Sequence, residues 1–358
     1  MKKPSAILTT LLVALLAAGS AMGATRTWDG GGSDDNWDTA ANWVGDVEPV
    51  AIDTVNFRTL AIQSQVEAEV TTANTITLLR MGGRGLVTHT TTPKITVKTG
   101  GTLTVTDDIH LGYALVGDAG AASANLVVDG GTLAITDQLN IGNVAGAGNA
   151  NDSTGTLTIN SGTVTFAGVL KLATENPAAI GASTGSLIVN GGSLTSSSTA
   201  VQYVGQYGDG TLTVDGGTVS FAAAISIKLA DQAGSTGTLN LFDGVLTAKT
   251  LTVGAGDASV VLDQGTALFD GFRTALFAGY ASDGLFSAIG GLADDSALAA
   301  QYSTGAGSYT NGSNIIKWGY DSASGKTALW SVILKPEPHL SLIIVAGSIL
   351  LAVRRRMI

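Results

Sequence analysis

The sequence contains no cysteine in 358 residues. That excludes disulfide staples, thiol catalysis and thiolate-ligated metal sites. Charge is scarce as well: Asp, Glu, Lys and Arg make up 13% of the chain, with a formal net charge of −10. An acidic chain of this kind does not suit nucleic acid or an anionic membrane surface as a partner. There are 48 glycines but no X-Y-Gly period, so collagen is excluded. The calcium-binding nonapeptide G-G-x-G-x-D is missing too. A hydrophobic content of 45% stands against disorder.

What is present is a repeat. The stretch GTLTINSGTVTFAGVLKL, Gly155 to Leu172, recurs with drift along the chain. When the second glycine of each corner is set to zero, apolar residues fall at −5, −3, +2, +4, +8 and +10. Around Gly162 these are Leu157, Ile159, Val164, Phe166, Leu170 and Leu172. Around Gly131 they are Leu126, Val128, Leu133, Ile135, Leu139 and Ile141. Around Gly217 they are Leu212, Val214, Val219, Phe221, Ile225 and Ile227. The zero glycines are Gly101, Gly131, Gly162, Gly192, Gly217 and Gly244, spaced 30, 31, 30, 25 and 27 residues, with a shorter copy at Gly265. Alternating apolar residues mark short strands. Three strands per repeat of this length read as one coil of a solenoid.

The fold class expected is therefore all-β: a right-handed parallel β-helix of about seven coils, roughly 34 Å long at the strand spacing. Asp or Asn precedes most of the corner glycines, as at Asp129, Asn160, Asn190, Asp215 and Asp263, where a short polar side chain bonds its own turn. Asp215, Asp243 and Asp263 would neighbour one another in a ladder; a solvated turn is preferred there over a calcium site. The longer insertions all follow the third strand and so lie along one edge. Between the inward residues of the third strand stands an outward row: His110, Asn140, Lys171, Gln202, Ser226 and Thr252.

The flanks differ from the array. All five tryptophans lie outside it: Trp28, Trp37 and Trp43 before, Trp318 and Trp330 after. Two readings of the first three stand: sugars stack on them, or they close the open end of the core. An open solenoid end exposes apolar side chains and unpaired strand edges, which favours the second. Residues 24–94 are read as an N-terminal cap with an imperfect first coil, 95–269 as the repeats and 270–334 as a C-terminal cap. In that cap Leu285–Ala288 and Ser296–Gln301 suggest short helices, and Asn314–Tyr320 and Thr327–Leu334 two strands.

Both termini read as targeting signals. Lys2 and Lys3 precede an apolar run, Ile7 to Ala18, and the small residues of Ala21-Met22-Gly23. This is the pattern of a signal peptide over residues 1–23, cleaved near Ala21 and Gly23. The last 24 residues, 335–358, hold Pro336-Glu337-Pro338, the uncharged run 340–353 and Arg354-Arg355-Arg356. Fourteen helical residues span about 21 Å, which is short for a bilayer. The terminal arginines favour a transmembrane helix with a cytoplasmic end.

This tail resembles a PEP-CTERM sorting signal. The resemblance implies handling by an exosortase-type membrane enzyme in a Gram-negative bacterium. Cleavage near Pro336-Glu337-Pro338 would release the body to the cell surface or an extracellular polysaccharide matrix. The array, as in GTLTVDGGTVSF at 210–221, is similar to autotransporter-associated β-strand repeats, and TWDGGGSDDNW…ANW…DTVNF resembles the cap that precedes them. No segment of alternating ten-residue membrane strands follows, which speaks against self-translocation.

The function expected is an exported, non-catalytic surface or matrix protein, with no cofactor and no metal. The alternative is a polysaccharide-binding module using Trp28, Trp37 and Trp43 or the loop-edge Tyr203 and Tyr207. A β-helix enzyme is the weakest reading. His89 and His110 stand alone, Asp107-Asp108 reads as a turn, and Lys98, Lys171, Lys228 and Lys249 look scattered rather than columnar.

Overall fold

The structure is a computed structural model that describes residues 23–59, 66–84, 92–118, 120–175, 181–311 and 314–333. It is a parallel β-helix of about eight turns. The turn beyond the seven marked by glycine is the imperfect first one, with strands Glu67–Val70, Ala73–Ile76 and Leu78–Arg84. Each coil but the last, at Gly265, contributes one strand to each of three sheets. The strand formed from −5 and −3 bonds only to its counterparts one coil away, in parallel and residue for residue.

That register turns the apolar period into columns. One runs Ala68, Ile95, Leu126, Leu157, Leu187, Leu212, Leu239, Val260 and Phe286. Every member is buried, none more than 2% exposed. Each such side chain contributes about 1.5–3 kcal/mol on burial, but only when the coils above and below are in place. The corners that join first and second strands need glycine where φ is positive, as at Gly130 (88°) and Gly162 (89°). Beside them Asn190 donates its amide to Asn160 across 3.0 Å, so part of the corner row is a hydrogen-bonded ladder.

A second set of glycines has a different cause. The third strand of one coil crosses the first strand of a later coil at near contact. A methyl on Gly185 would run into the carbonyl oxygen of Ile141 and the amide of Ala173. Gly155, Gly210 and Gly237 sit in the same place in neighbouring coils and are equally closed in.

The third strand departs from the expected register in the later coils. Leu172 pairs with Val204 and Val204 with Leu229, two residues further from the corner glycine than in earlier coils. Ile225 is consequently 61% exposed, while Ala224 is buried. The repeat pattern puts Gln202 and Ser226 in the outward row; both are buried instead. Gln202 stands in the inward column beside Ile227, and it is satisfied there: its Oε1 accepts from the Leu170 amide at 2.7 Å and its Nε2 donates to the Ala200 carbonyl at 3.0 Å. The outward row is His110, Asn140, Lys171, Tyr203, Lys228 and Thr252.

Aromatic residues cover both ends of the column stack. Trp28, Trp37 and Trp43 are all fully buried. Trp43 meets Trp28 edge to face at 5.1 Å and Trp37 at 4.8 Å, and Trp28 lies 5.2 Å from Phe57. At the other end helix α1, Thr274–Ser282, lays Phe277 against Phe269 and Phe286. The expected helix at Leu285–Ala288 is a strand, Phe286–Ala288, because it pairs in parallel with Val260–Leu262 and prolongs the first sheet. Helix α2, Ser296–Gln301, forms as expected. The hairpin Asn314–Asp321 and Lys326–Ile333 lies antiparallel on Thr266–Asp270 and closes the second sheet. Trp318 and Trp330 are 5% and 1% exposed. Trp330 donates its indole N–H to Asp295, which also holds Lys317 at 2.7 Å.

Two substitutions separate these effects. Gly185→Ala should cost about 3 kcal/mol or more in urea unfolding, because backbone must move. Gly279→Ala, on helix α1 with open space around it, should be neutral or stabilising by up to about 1 kcal/mol. Trp43→Ala should cost about 3–5 kcal/mol, and the intact protein should emit at short, buried-tryptophan wavelengths.

Candidate functional site

Polar side chains converge on the outer face of the third sheet, over coils two to four. The cause is a left-handed residue in each strand. Gly112, Gly142 and Ala173 have φ of 67°, 71° and 55°. Each shifts the phase of its strand, so two outward rows form where simple alternation gives one. The first is His110, Asn140 and Lys171; the second is Tyr113, Asn143 and Thr174. All of these except Tyr113 line, with Asp108, Gln138 and Glu175, a groove of about 380 Å³.

His110 is held from several sides. Asn143 Nδ2 lies 2.8 Å from His110 Nδ1, and the ring stacks at 5.0 Å on Tyr113, whose face also carries the Arg80 guanidinium at 5.4 Å. Burial lowers the imidazole pKa to about 4, and the Arg80 and Lys171 charges add to that. His110 is therefore neutral at pH 7, and its 3.8 Å approach to Asp108 is not an ion pair there. With Nδ1 accepting from Asn143, the ring proton sits on Nε2, facing Asp108 Oδ2. Burial lifts Asp108 above the usual carboxylate range, and the Asp107 and Asp137 charges push the same way; the Gln138 amide, donating to Oδ1 at 2.9 Å, offsets part of it. Burial also raises Glu175.

Three side chains in or near the groove have polar atoms that make no hydrogen bond among the described residues. Asn140 is 3% exposed, and among the described residues its amide makes no hydrogen bond. Arg80 Nε and Asn56 Oδ1, on adjoining strands in the same row, are buried without one.

The other site expectations fall elsewhere. Trp28, Trp37 and Trp43 have no exposed ring face, so their surroundings favour the closing role over sugar stacking. Tyr203 takes a place in the outward row, half-buried, and Tyr207 is half-buried on the following loop. Lys171 and Lys228 stand in one column with Tyr203 between them, against the expectation of scatter. Asp215, Asp243 and Asp263 are not gathered. The carboxylates that come together among the described residues are Asp107, Asp108 and Asp137, within 4.8 Å of one another. Gly23 opens the described chain. Ala21, His89, Pro336, Glu337, Pro338, the run 340–353, Arg354, Arg355 and Arg356 lie outside the described residues. Among the described residues no helix is long and apolar enough to cross a membrane. In comparisons with protein-family models, curated proteins and solved structures, nothing matches this chain.

The repeat pattern alone does not announce the second row. Its signal is the glycine in His110-Leu111-Gly112-Tyr113 and Asn140-Ile141-Gly142-Asn143, which sits between two outward residues three apart.

The low His110 pKa has a definite sign. The unfolded chain binds the proton more tightly than the folded one, so stability is full above about pH 6.5 and falls as pH drops toward about 4. The groups facing the ring are Arg80, Lys171, Asp108, Tyr113 and Asn143. NMR of the imidazole should show a midpoint near pH 4. The urea midpoint of the wild type should fall more between pH 6.5 and 4 than that of His110→Gln. A midpoint near the ordinary 6.5 would contradict the buried, neutral ring.

Proposed function

We propose that this chain is an exported, non-catalytic β-solenoid of the cell surface or extracellular matrix. The observation that carries the reading is the burial of four of the five tryptophans, Trp28, Trp37, Trp43 and Trp318, in the core at the two ends of the column stack, with Trp330 buried in a small cluster of the terminal hairpin beside Tyr302. The large aromatics serve to close a rod, in keeping with aromatic end caps on a right-handed helix. The sides of the rod are mostly polar, small-residue ladders. A stiff, acidic body without cysteine needs no redox partner outside the cell to fold.

Export rests on the two terminal segments. A signal peptide, cut near Ala21 and Gly23, would start translocation. The tail would pause in the inner membrane through residues 340–353, with Arg354, Arg355 and Arg356 on the cytoplasmic side. An exosortase-type enzyme would cut near Pro336-Glu337-Pro338. Extracellular polysaccharide is the partner this destination makes available. The alternative, a polysaccharide-binding module, is not supported at Trp28, Trp37 and Trp43, whose rings are inside; the groove beside His110 is the observation in its favour.

Processing tests the reading. In a Gram-negative host that carries an exosortase, intact-mass analysis should find an extracellular form trimmed at both ends. Replacing Pro336-Glu337-Pro338 by alanines should leave a membrane-bound form that keeps its tail. A full-length chain retained in the cytoplasm would sink the proposal.

A further inference from the structure

We infer that the groove on the outer face of the third sheet is a subsite for a neutral saccharide, bound through Asp108, His110, Asn140, Asn143, Lys171 and Thr174. The first argument is the amide of Asn140. It is 3% exposed, lines the groove and makes no hydrogen bond among the described residues. The amide is not sealed away, so a ligand in the groove can bond it. Nothing in the coil geometry requires an amide at this place, since Thr252 occupies the same row further along.

The second argument is the gap between Asp108 Oδ2 and His110 Nε2. At 3.8 Å the two are too far apart for a hydrogen bond. They are well placed to share one hydroxyl, which would donate to the carboxylate and accept from the ring N–H. Only a group that both donates and accepts fits between them. An alcohol does; a carboxylate or an ammonium does not.

Charge speaks against a polyanion. Asp107 and Asp137 gather with Asp108, and Glu175 lines the same groove, against Lys171 and the nearby Arg80. A polyanion would meet these carboxylates at close range. A neutral polyol meets donors and acceptors alternately and adds no charge to them. The outward row offers one polar side chain per coil, about 4.8 Å apart, which suits a chain of sugar rings lying along the solenoid axis. Tyr113 already carries His110 and Arg80 on its ring. Recognition at this groove is therefore by hydrogen bonds, and tryptophan fluorescence would not report it.

The test is calorimetry on the full chain with three probes: cellohexaose, a linear mannohexaose and hexagalacturonate. At least one neutral hexasaccharide should bind saturably, and hexagalacturonate should bind at least tenfold more weakly. Asn140→Leu and Lys171→Met should each weaken the neutral ligand at least tenfold, and Thr252→Ala should change it less than twofold. Should Asn140→Leu fail to fold by circular dichroism, Lys171→Met gives the reading. In the unmutated protein, the bound saccharide should also protect Lys171 from reductive methylation. Absence of neutral binding at millimolar ligand, tighter binding of hexagalacturonate, or affinity that survives both groove substitutions overturns the inference. None of these outcomes touches the export reading, which stands or falls on processing.

Discussion

Everything in this molecule depends on like-on-like stacking of parallel strands. One coil of some 25–31 residues has an apolar side and no means of covering it alone. Its backbone amides and carbonyls are equally unsatisfied until another coil lies beside it. In-register pairing answers both needs together: Leu157 lies on Leu126 and under Leu187, and the same alignment closes the hydrogen bonds between those strands. Stability is therefore a property of neighbouring coils rather than of any one of them. The two ends are where the constraint fails, and the tryptophan cluster, helix α1 and the terminal hairpin are placed there.

The same stacking forces the chain into close quarters. The passage from third strand to next coil brings backbone against backbone, and side chains are excluded at Gly155, Gly185, Gly210 and Gly237. The left-handed residues at Gly112, Gly142 and Ala173 make the strand bend that this passage needs. That bend turns Tyr113, Asn143 and Thr174 outward. A feature required by winding thus also widens a single polar row into a two-row groove. A saccharide subsite at this groove would take advantage of a geometry that the fold imposes for its own reasons.

The groove itself is an electrostatic compromise. His110 is kept neutral by burial beside two cations, while burial and two neighbouring acids raise the pKa of Asp108. The amide of Asn140, in the row between His110 and Lys171, makes no hydrogen bond among the described residues. Gln202, equally buried one row inward, shows the usual solution, with both ends of its amide satisfied by backbone.

By itself the sequence determined the β-solenoid, the number of strands per coil and most of the inward residues, since a period-two pattern repeated at a fixed spacing has few other ways to be buried. It also placed the tryptophans at the flanks, where apolar bulk meets an open edge. Counting from the corner glycine failed at Ile225, Gln202 and Ser226, because the link between second and third strands lengthens there and only pairing with Leu172 and Leu251 fixes the register. Leu285–Ala288 reads as helix or strand equally well until Val260 is seen to leave an edge for Phe286. The groove was the least legible. His110, Asn143 and Lys171 are about thirty residues apart along the chain. The left-handed backbone that turns the second row outward is set by contact between coils, as Ala173 shows, rather than by any local preference of its own.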